Sequence, residues 1–334
     1  PLDGGAPVAT DVLAPLKAAP VNPLHRKPID APLETGVRVI DAMLPLGQGQ
    51  RIGIFAGSGV GKSTLLGMLA RGVQADVNVI ALIGERGREV RDFIERQLGP
   101  DALARSVVVV ATSDEPALMR ARATYAAMAV AEYFRDQGQS VFLTVDSVTR
   151  YAMARREIGL AAGEPPTARG YTPSVFADIP ELCERCGRLE NGGSISAIFT
   201  VLVEGDDFNE PIADSLRATL DGHIVLTRDL AHRGHYPAID VLRSVSRLAG
   251  ELASKPERAL MAEASASLAL LERNRQMVDI GAYQAGTNPA LDAALALAPA
   301  LDGWLRQETD APDTRRGAFE ALAAIVAGGQ REAS

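Results

Sequence analysis

The chain has 334 residues, 47% of them hydrophobic, enough for one large core or a core with a smaller satellite domain. A formal net charge of -8 argues against a nucleic-acid partner, which needs a basic stripe or patch. Cys183 and Cys186 are the only cysteines and no apolar run approaches about 20 residues, so a disulfide framework and a spanning helix are excluded and a reducing cytoplasm fits.

Residues 1–25 read as an extended lead-in punctuated by Pro, Gly and Ala. It lacks a Met start, and a further domain is expected to precede Pro1. From residue 51 the pattern alternates. Apolar runs at 51–56, 78–83, 106–111, 141–145, 195–203 and 223–227 are almost continuous in Val, Ile, Leu and Phe. Such runs predict parallel strands covered on both faces. Helical stretches at 62–72, 87–98, 115–137, 147–159, 174–188 and 211–220 separate most of them. The alternation predicts right-handed crossovers and a doubly wound, mostly parallel α/β sheet over residues 26–255. Residues 256–334 carry no strand signal and are rich in Ala, Leu, Glu and Arg, which predicts a small helical domain broken at Gly281, Gly286, Pro289 and Pro299.

The strongest chemical signal begins where the first strand ends. Ala56 is followed by Gly57, Ser58, Gly59, Val60, Gly61, Lys62, Ser63 and Thr64. This is a phosphate-binding loop in its required context, after a strand and opening a helix. Glycines let successive amide N–H groups face one anion, and the helix N-terminus adds partial positive charge. Lys62 is placed to reach the β and γ phosphates, and the Ser63 hydroxyl to bind Mg²⁺. Asp146 ends the strand at 141–145 on the same edge, where a carboxylate completes a Mg²⁺ shell; its bland alternative is a helix cap. Glu85 follows the strand at 78–83, where ATP hydrolysis needs a group to orient water; its bland alternative is a charged helix start. Cys183 and Cys186 form a lone C-x-x-C, short of the four ligands a structural zinc needs, with His232 and His235 distant in sequence.

Four stretches together resemble the RecA-type ATPases of flagellar and type III protein export: LPLGQGQRIGIFAGSGVGKSTLLGML from residue 44, GERGREV from 84, DSVTRYAMARREIGLAAGEPPTARGYTPSVFADIPELCER from 146, and VLVEGDDFNEPIADSLRATLDGHIVLTRDLAHRGHYPAIDVLRSVSR from 201. The resemblance implies a RecA-like core, a helical C-terminal domain and an N-terminal β-barrel preceding Pro1 that closes a homohexameric ring. It implies that Glu85 is the catalytic carboxylate and that Arg86 and Arg150 approach the γ phosphate. Arg247 falls at a finger donated to a neighbouring subunit. Tyr236 falls at an aromatic that stacks on adenine, and Tyr283 at a second wall of that pocket. The implied work is Mg·ATP hydrolysis that energises export by releasing chaperones and unfolding substrates at a membrane gate. Stator or stalk proteins are the other implied partners, and the enzyme sits peripherally on the cytoplasmic face. Two alternatives share the core: a catalytic subunit of an ion-motive rotary synthase, and a Rho-type RNA-translocating hexamer that would need basic central loops.

Overall fold

Strands form where Val, Ile and Phe at alternate positions are buried on two faces at once. The computed structural model describes residues 1–8, 12–190, 192–203 and 210–332. Residues 204–209, which carry part of the resemblance, lie outside them. A two-stranded ribbon of β1 (Pro32–Leu33) and β2 (Leu46–Gly47) brackets α1 (Arg38–Met43). The α/β core then runs through β3 (Arg51–Ala56), α2 (Lys62–Gly72), β4 (Val77–Ile83), α3 (Gly87–Asp92), α4 (Gly99–Ala104), β5 (Ser106–Ala111) and α5 (Ala117–Asp136). It continues through β6 (Ser140–Asp146), α6 (Val148–Ala161), α7 (Pro173–Glu184), β7 (Gly187–Arg188), β8 (Ser194–Leu202), α8 (Pro211–Thr219), β9 (Gly222–Leu226), α9 (Arg228–His232) and β10 (Ile239–Ser246). Helices α10 (Ala249–Leu252), α11 (Lys255–Asp279), α12 (Pro289–Leu305) and α13 (Arg315–Glu332) complete it.

The main sheet has the order β10-β9-β3-β8-β6-β4-β5, and every pairing from β9 to β5 is parallel. The doubly wound α/β sheet read from the sequence is therefore present. Its two faces feed separate apolar clusters. Ile52, Ile54, Ile80, Leu82 and Ile198 point to one, and Phe55, Val79, Ala81, Ile83 and Phe199 to the other. Each of the larger side chains, taken fully out of water, contributes about 2 kcal/mol.

Four departures from the sequence reading are seen. Strand β10 was not expected; it pairs antiparallel at the sheet edge, with a bulge, and leaves Leu242 and Val245 half exposed, so its apolar pattern is broken. The helix expected at 174–188 stops at Glu184, because residues 187–188 turn back to pair with β8. The helix expected at 87–98 continues through a π-helical turn (Phe93–Leu98) into α4. Pro299 sits inside α12 without ending it.

The C-terminal helices share a core with the sheet. Leu301, Trp304, Phe319 and Leu322 join the cluster that holds Leu65 and Leu66 of α2. Helix α11 starts at a capping box in which Ser254 N–H donates to Glu257 at 2.6 Å and Glu257 N–H donates back to the Ser254 hydroxyl at 3.5 Å. Such a cap contributes about 1 kcal/mol.

Candidate active site

The site is built at the C-terminal edge of the parallel strands. Strands β3, β4 and β6 end together there, with Leu82 beside Asp146 in register. The chain leaving β3 turns through Gly59 (φ 78°) and Gly61 (φ 91°), left-handed conformations that a side chain would strain. Val60, 1% exposed, pins the loop to the core between them. Helix α2 then begins at Lys62, and its first amide N–H groups have no partner within the helix. A glycine loop ending on such a helix start is an anion cradle. No atom lies within 4 Å of where a Cβ on Gly59 would stand, so its face is open.

Lys62 closes the arrangement. Its ammonium donates to Asp146 Oδ1 and reaches Glu85 Oε1 at 3.4 Å. Asp146 is 2% exposed and also accepts from the Thr200 hydroxyl of β8 at 2.7 Å. Burial works to lower the Lys62 pKa, but the carboxylates of Asp146 and Glu85 outweigh it and hold the ammonium charged. Burial drives Glu85 up to about 7; Lys62 opposes that, and Asp146 and Glu89 add to it. Ser63, Glu85, Glu89 and Asp146 line one small pocket backed by Val90 and Phe93.

The other expected residues divide into those the fold gathers here and those it does not. Arg150 lies along Gly84: a Cβ on that glycine would stand 2.9 Å from the Arg150 Cβ. The Arg150 Nε is buried without a hydrogen-bond partner among the described residues. Arg86 caps α3, well exposed, 3.5 Å from Glu89. The Tyr236 ring lies over Gly61, 3.3 Å from where a Cβ would stand. Tyr283, in the α11–α12 connection, donates to Asn288 O at 3.1 Å and to Asp292 Oδ1 in the first turn of α12 at 2.8 Å. Arg247 is at the opposite edge. Because β10 runs antiparallel, Ser246 pairs with Gly222 at the start of β9, and Arg247 N–H donates to Asp221 O at 3.0 Å.

Thr200 and Glu89 were not singled out from the sequence. Thr200 is the one polar side chain of the run from Ile198 to Val203, a faint signal; Glu89 sits in a charged stretch that gives none. The cysteine pair is fully buried, and burial pushes both thiols up, Cys186 to about 12. His235, which with His232 is distant in sequence from the cysteine pair, faces Asp302, Nδ1 to Oδ1 at 3.0 Å.

Comparison with known proteins places the chain in a family. The nucleotide-binding domain model of the ATP synthase alpha/beta family matches residues 36–246, and the type III secretion EscN ATPase C-terminal domain model matches 253–324. The Bacillus subtilis flagellum-specific ATP synthase is 53% identical over 98% of this chain and 74% of its own length. The chain belongs to the family of flagellar and type III secretion ATPases. A type 3 secretion system ATPase from Xanthomonas euvesicatoria is 49% identical, again over 98% of this chain and 74% of the relative. Assembled EscN from enteropathogenic E. coli superposes with TM-score 0.90 at 46% identity, covering 96% of this chain and 79% of EscN. EscN in complex with its central stalk EscO gives 0.87 over the same shares. The core is thus RecA-like, and this export ATPase hydrolyses ATP; the rotary synthase and Rho-type readings are not favoured.

Proposed function

We propose that this export ATPase hydrolyses Mg·ATP at the Lys62–Glu85–Asp146 cluster, in a homohexameric ring where Arg247 serves the nucleotide of the next subunit. The observation carrying the reading is Lys62, at a helix start behind a glycine loop, held by two carboxylates from adjacent strand ends. The donor set suits Mg²⁺. Among the described residues no group of three His, Cys, Asp or Glu is arranged to hold a metal. Ser63 and Asp146 offer one hydroxyl and one carboxylate, matching a cation that keeps waters and takes its remaining oxygens from phosphates. Bound Mg²⁺ would neutralise charge developing on the phosphate oxygens.

The protein groups do the rest. Lys62 leaves its carboxylate partners for the β and γ phosphates. Glu85, whose carboxyl burial pushes up to about 7 in the nucleotide-free protein, orients water and accepts its proton. Arg86 and Arg150 approach the γ phosphate, and Tyr236 stacks on adenine above Gly61. Arg247 faces the edge opposite its own phosphate loop, which supports action in trans. The ATPase domain spans 26–255 and the helical domain 256–334, after a lead-in over 1–25. Assembly and a stalk partner follow by analogy with EscN; export chaperones and the export gate complete the partner set. No helix among the described residues is long and apolar enough to cross a membrane, in keeping with a peripheral position on the cytoplasmic face.

Lys62→Ala tests the reading. Turnover should fall by roughly 10²–10³-fold, the scale for one preorganised charge-stabilising donor. Turnover at the wild-type rate would refute the phosphate-loop assignment.

A further inference from the structure

The loop that carries Tyr236 is held by the end of α12. Asp302 Oδ1 meets His235 Nδ1 at 3.0 Å, the Arg306 Nη1 donates to Gly234 O at 3.0 Å, and Gln307 N–H donates to Tyr236 O at 3.0 Å. Three consecutive residues, 234 to 236, are thus tied to three positions within the six-residue stretch 302–307. Arg306 Nε also donates to Asp302 Oδ2 at 2.9 Å, which locks the two side chains into one unit. The Gln307 amide is itself fixed: its Nε2 donates to Gly36 O at 2.7 Å and its Oε1 accepts from Arg38 N–H at 2.8 Å. Within its own segment, Gly234 and His235 N–H make turn bonds to Ala231 O and Leu230 O.

The platform behind these contacts is firm. Leu301 and Trp304 of α12 are nearly fully buried in the cluster that also holds Leu65 and Leu66 of the phosphate-loop helix. One apolar body therefore carries both the phosphate cradle and the strut under Tyr236. His235 is 3% exposed, and burial lowers its pKa despite Asp302. The ring is a neutral donor that needs an acceptor, not a charge.

We infer that Asp302, Arg306 and Gln307 are positioning residues for nucleotide binding: the helical layer sets where Tyr236 stands over Gly61 and so governs the base-dependent part of ATP affinity. The inference rests on the reading of Tyr236 as the adenine-stacking residue. It assigns the C-terminal helices a share in the binding site without any of their side chains touching the nucleotide.

The test compares Asp302→Ala, Arg306→Met, Tyr236→Ala and the double variant Asp302→Ala with Tyr236→Ala. Each of the first two should raise KM for ATP about five- to tenfold, within the range of base–aromatic stacking, with kcat unchanged. Asp302→Asn keeps an acceptor for His235 but loses the one that Arg306 Nε uses, and should fall between wild type and Asp302→Ala. In the Tyr236→Ala background, Asp302→Ala should change KM by less than about twofold, because both act through one ring. Competition by inorganic tripolyphosphate, which has no base, should be unaffected throughout. Additive effects of Asp302→Ala and Tyr236→Ala, or weakened tripolyphosphate binding, would overturn the inference and leave the stacking role of Tyr236 intact. A Tyr236→Ala enzyme with unchanged KM would overturn the stacking role and the inference with it. If Asp302→Ala does not fold, Arg306→Met carries the same comparison.

Discussion

At the C-terminal edge of the parallel strands Lys62 stands between Asp146 and Glu85; at the opposite edge Arg51 stands between Asp221 and Glu184. Each is a cation between two carboxylates, yet the bonding differs. Arg51 grips Asp221 with Nε and Nη2, both at 3.0 Å, and sends Nη1 to Glu184. Glu184 is shared with Arg26 at 3.1 Å, and Asp221 also accepts the Arg51 backbone N–H at 2.9 Å. The planar fork meets both oxygens of a carboxylate and fixes the geometry. Lys62 offers a compact, rotatable charge, and Glu85 at 3.4 Å receives too little of it to stay in the usual carboxylate range. One cluster is complete and joins Arg26, β3, α7 and the turn before β9. The other has carboxylate in excess and an ammonium free to change partners. An ion cluster poised for ligand exchange is recognised by what it leaves unsatisfied, not by its charge count.

The largest test of that contrast concerns Arg247, which sits at the complete edge, its Nη2 donating to Arg217 O at 2.9 Å. If it acts on the next subunit, Arg247→Ala should lower turnover of the assembled enzyme by about 10³–10⁵-fold, the scale of arginine fingers in other P-loop enzymes. Mixing inactive Glu85→Gln and Arg247→Ala proteins should restore activity, because some interfaces pair an intact Glu85 with an intact Arg247. Mixed assemblies without activity, shown by native mass measurement, would make Arg247 structural. Glu85→Gln by itself should bind ATP normally and lose roughly 10²-fold or more in turnover, the general-base scale. A loss of only a few-fold would make Glu85 a bystander.

Those two residues also show what the sequence made legible. The buried strands and the phosphate loop were readable because their signals are local: continuous apolar runs, and a glycine pattern fixed between strand and helix. Lys62, Glu85 and Asp146 each follow a strand end, and parallel strand ends share an edge, so their convergence followed from topology. Strand β10 was hidden because an exposed, bulged edge strand lacks apolar continuity. Thr200 under Asp146 was hidden because its role depends on register between β6 and β8. The strut from Asp302, Arg306 and Gln307 depends on contacts more than 60 residues apart in sequence, which no spacing rule reports. Tyr283 shows the reverse: a position suggested by resemblance whose hydrogen bonds run to its own loop and the first turn of α12.

Breaking the complete cluster should cost stability and spare chemistry. Arg51→Met keeps much of the packing of the aliphatic stem but leaves Asp221 and Glu184 without their shared cation, both in partly buried positions. We expect a loss of about 2 kcal/mol, less than for a fully buried pair because water reaches Glu184. Denaturant unfolding would measure it, and KM for ATP should stay within about twofold of wild type, since distant sites without shared partners behave independently. A large KM change with unchanged stability would mean that the two edges are coupled through β3.

The smallest expected effect has the opposite sign and completes the contrast. Glu85 has its folded pKa raised from 4.5 to about 7, so in the nucleotide-free protein its ionisation opposes folding. Below pH 4.5 both states hold the proton and nothing is lost. Between 4.5 and 7 the unfolded chain releases it while the folded protein keeps it, so stability falls as pH rises; above 7 the loss is constant. Glu85→Gln removes this dependence. After discounting for the solvent that reaches the side chain, the gain at pH 8 should be about 1 kcal/mol, or roughly 2 °C in Tm for a chain of this size. Scans of the two nucleotide-free proteins from pH 4.5 to 8 should show a Tm difference near zero at the acid end that grows to a plateau above pH 7, the other groups cancelling in the difference. A variant less stable than wild type at every pH would mean that the Lys62–Glu85 contact is a structural bond, and the two edges would then differ only in geometry. A gain confined to neutral and alkaline pH, beside the loss expected for Arg51→Met, would show that the fold sacrifices stability only at the edge where ATP is hydrolysed.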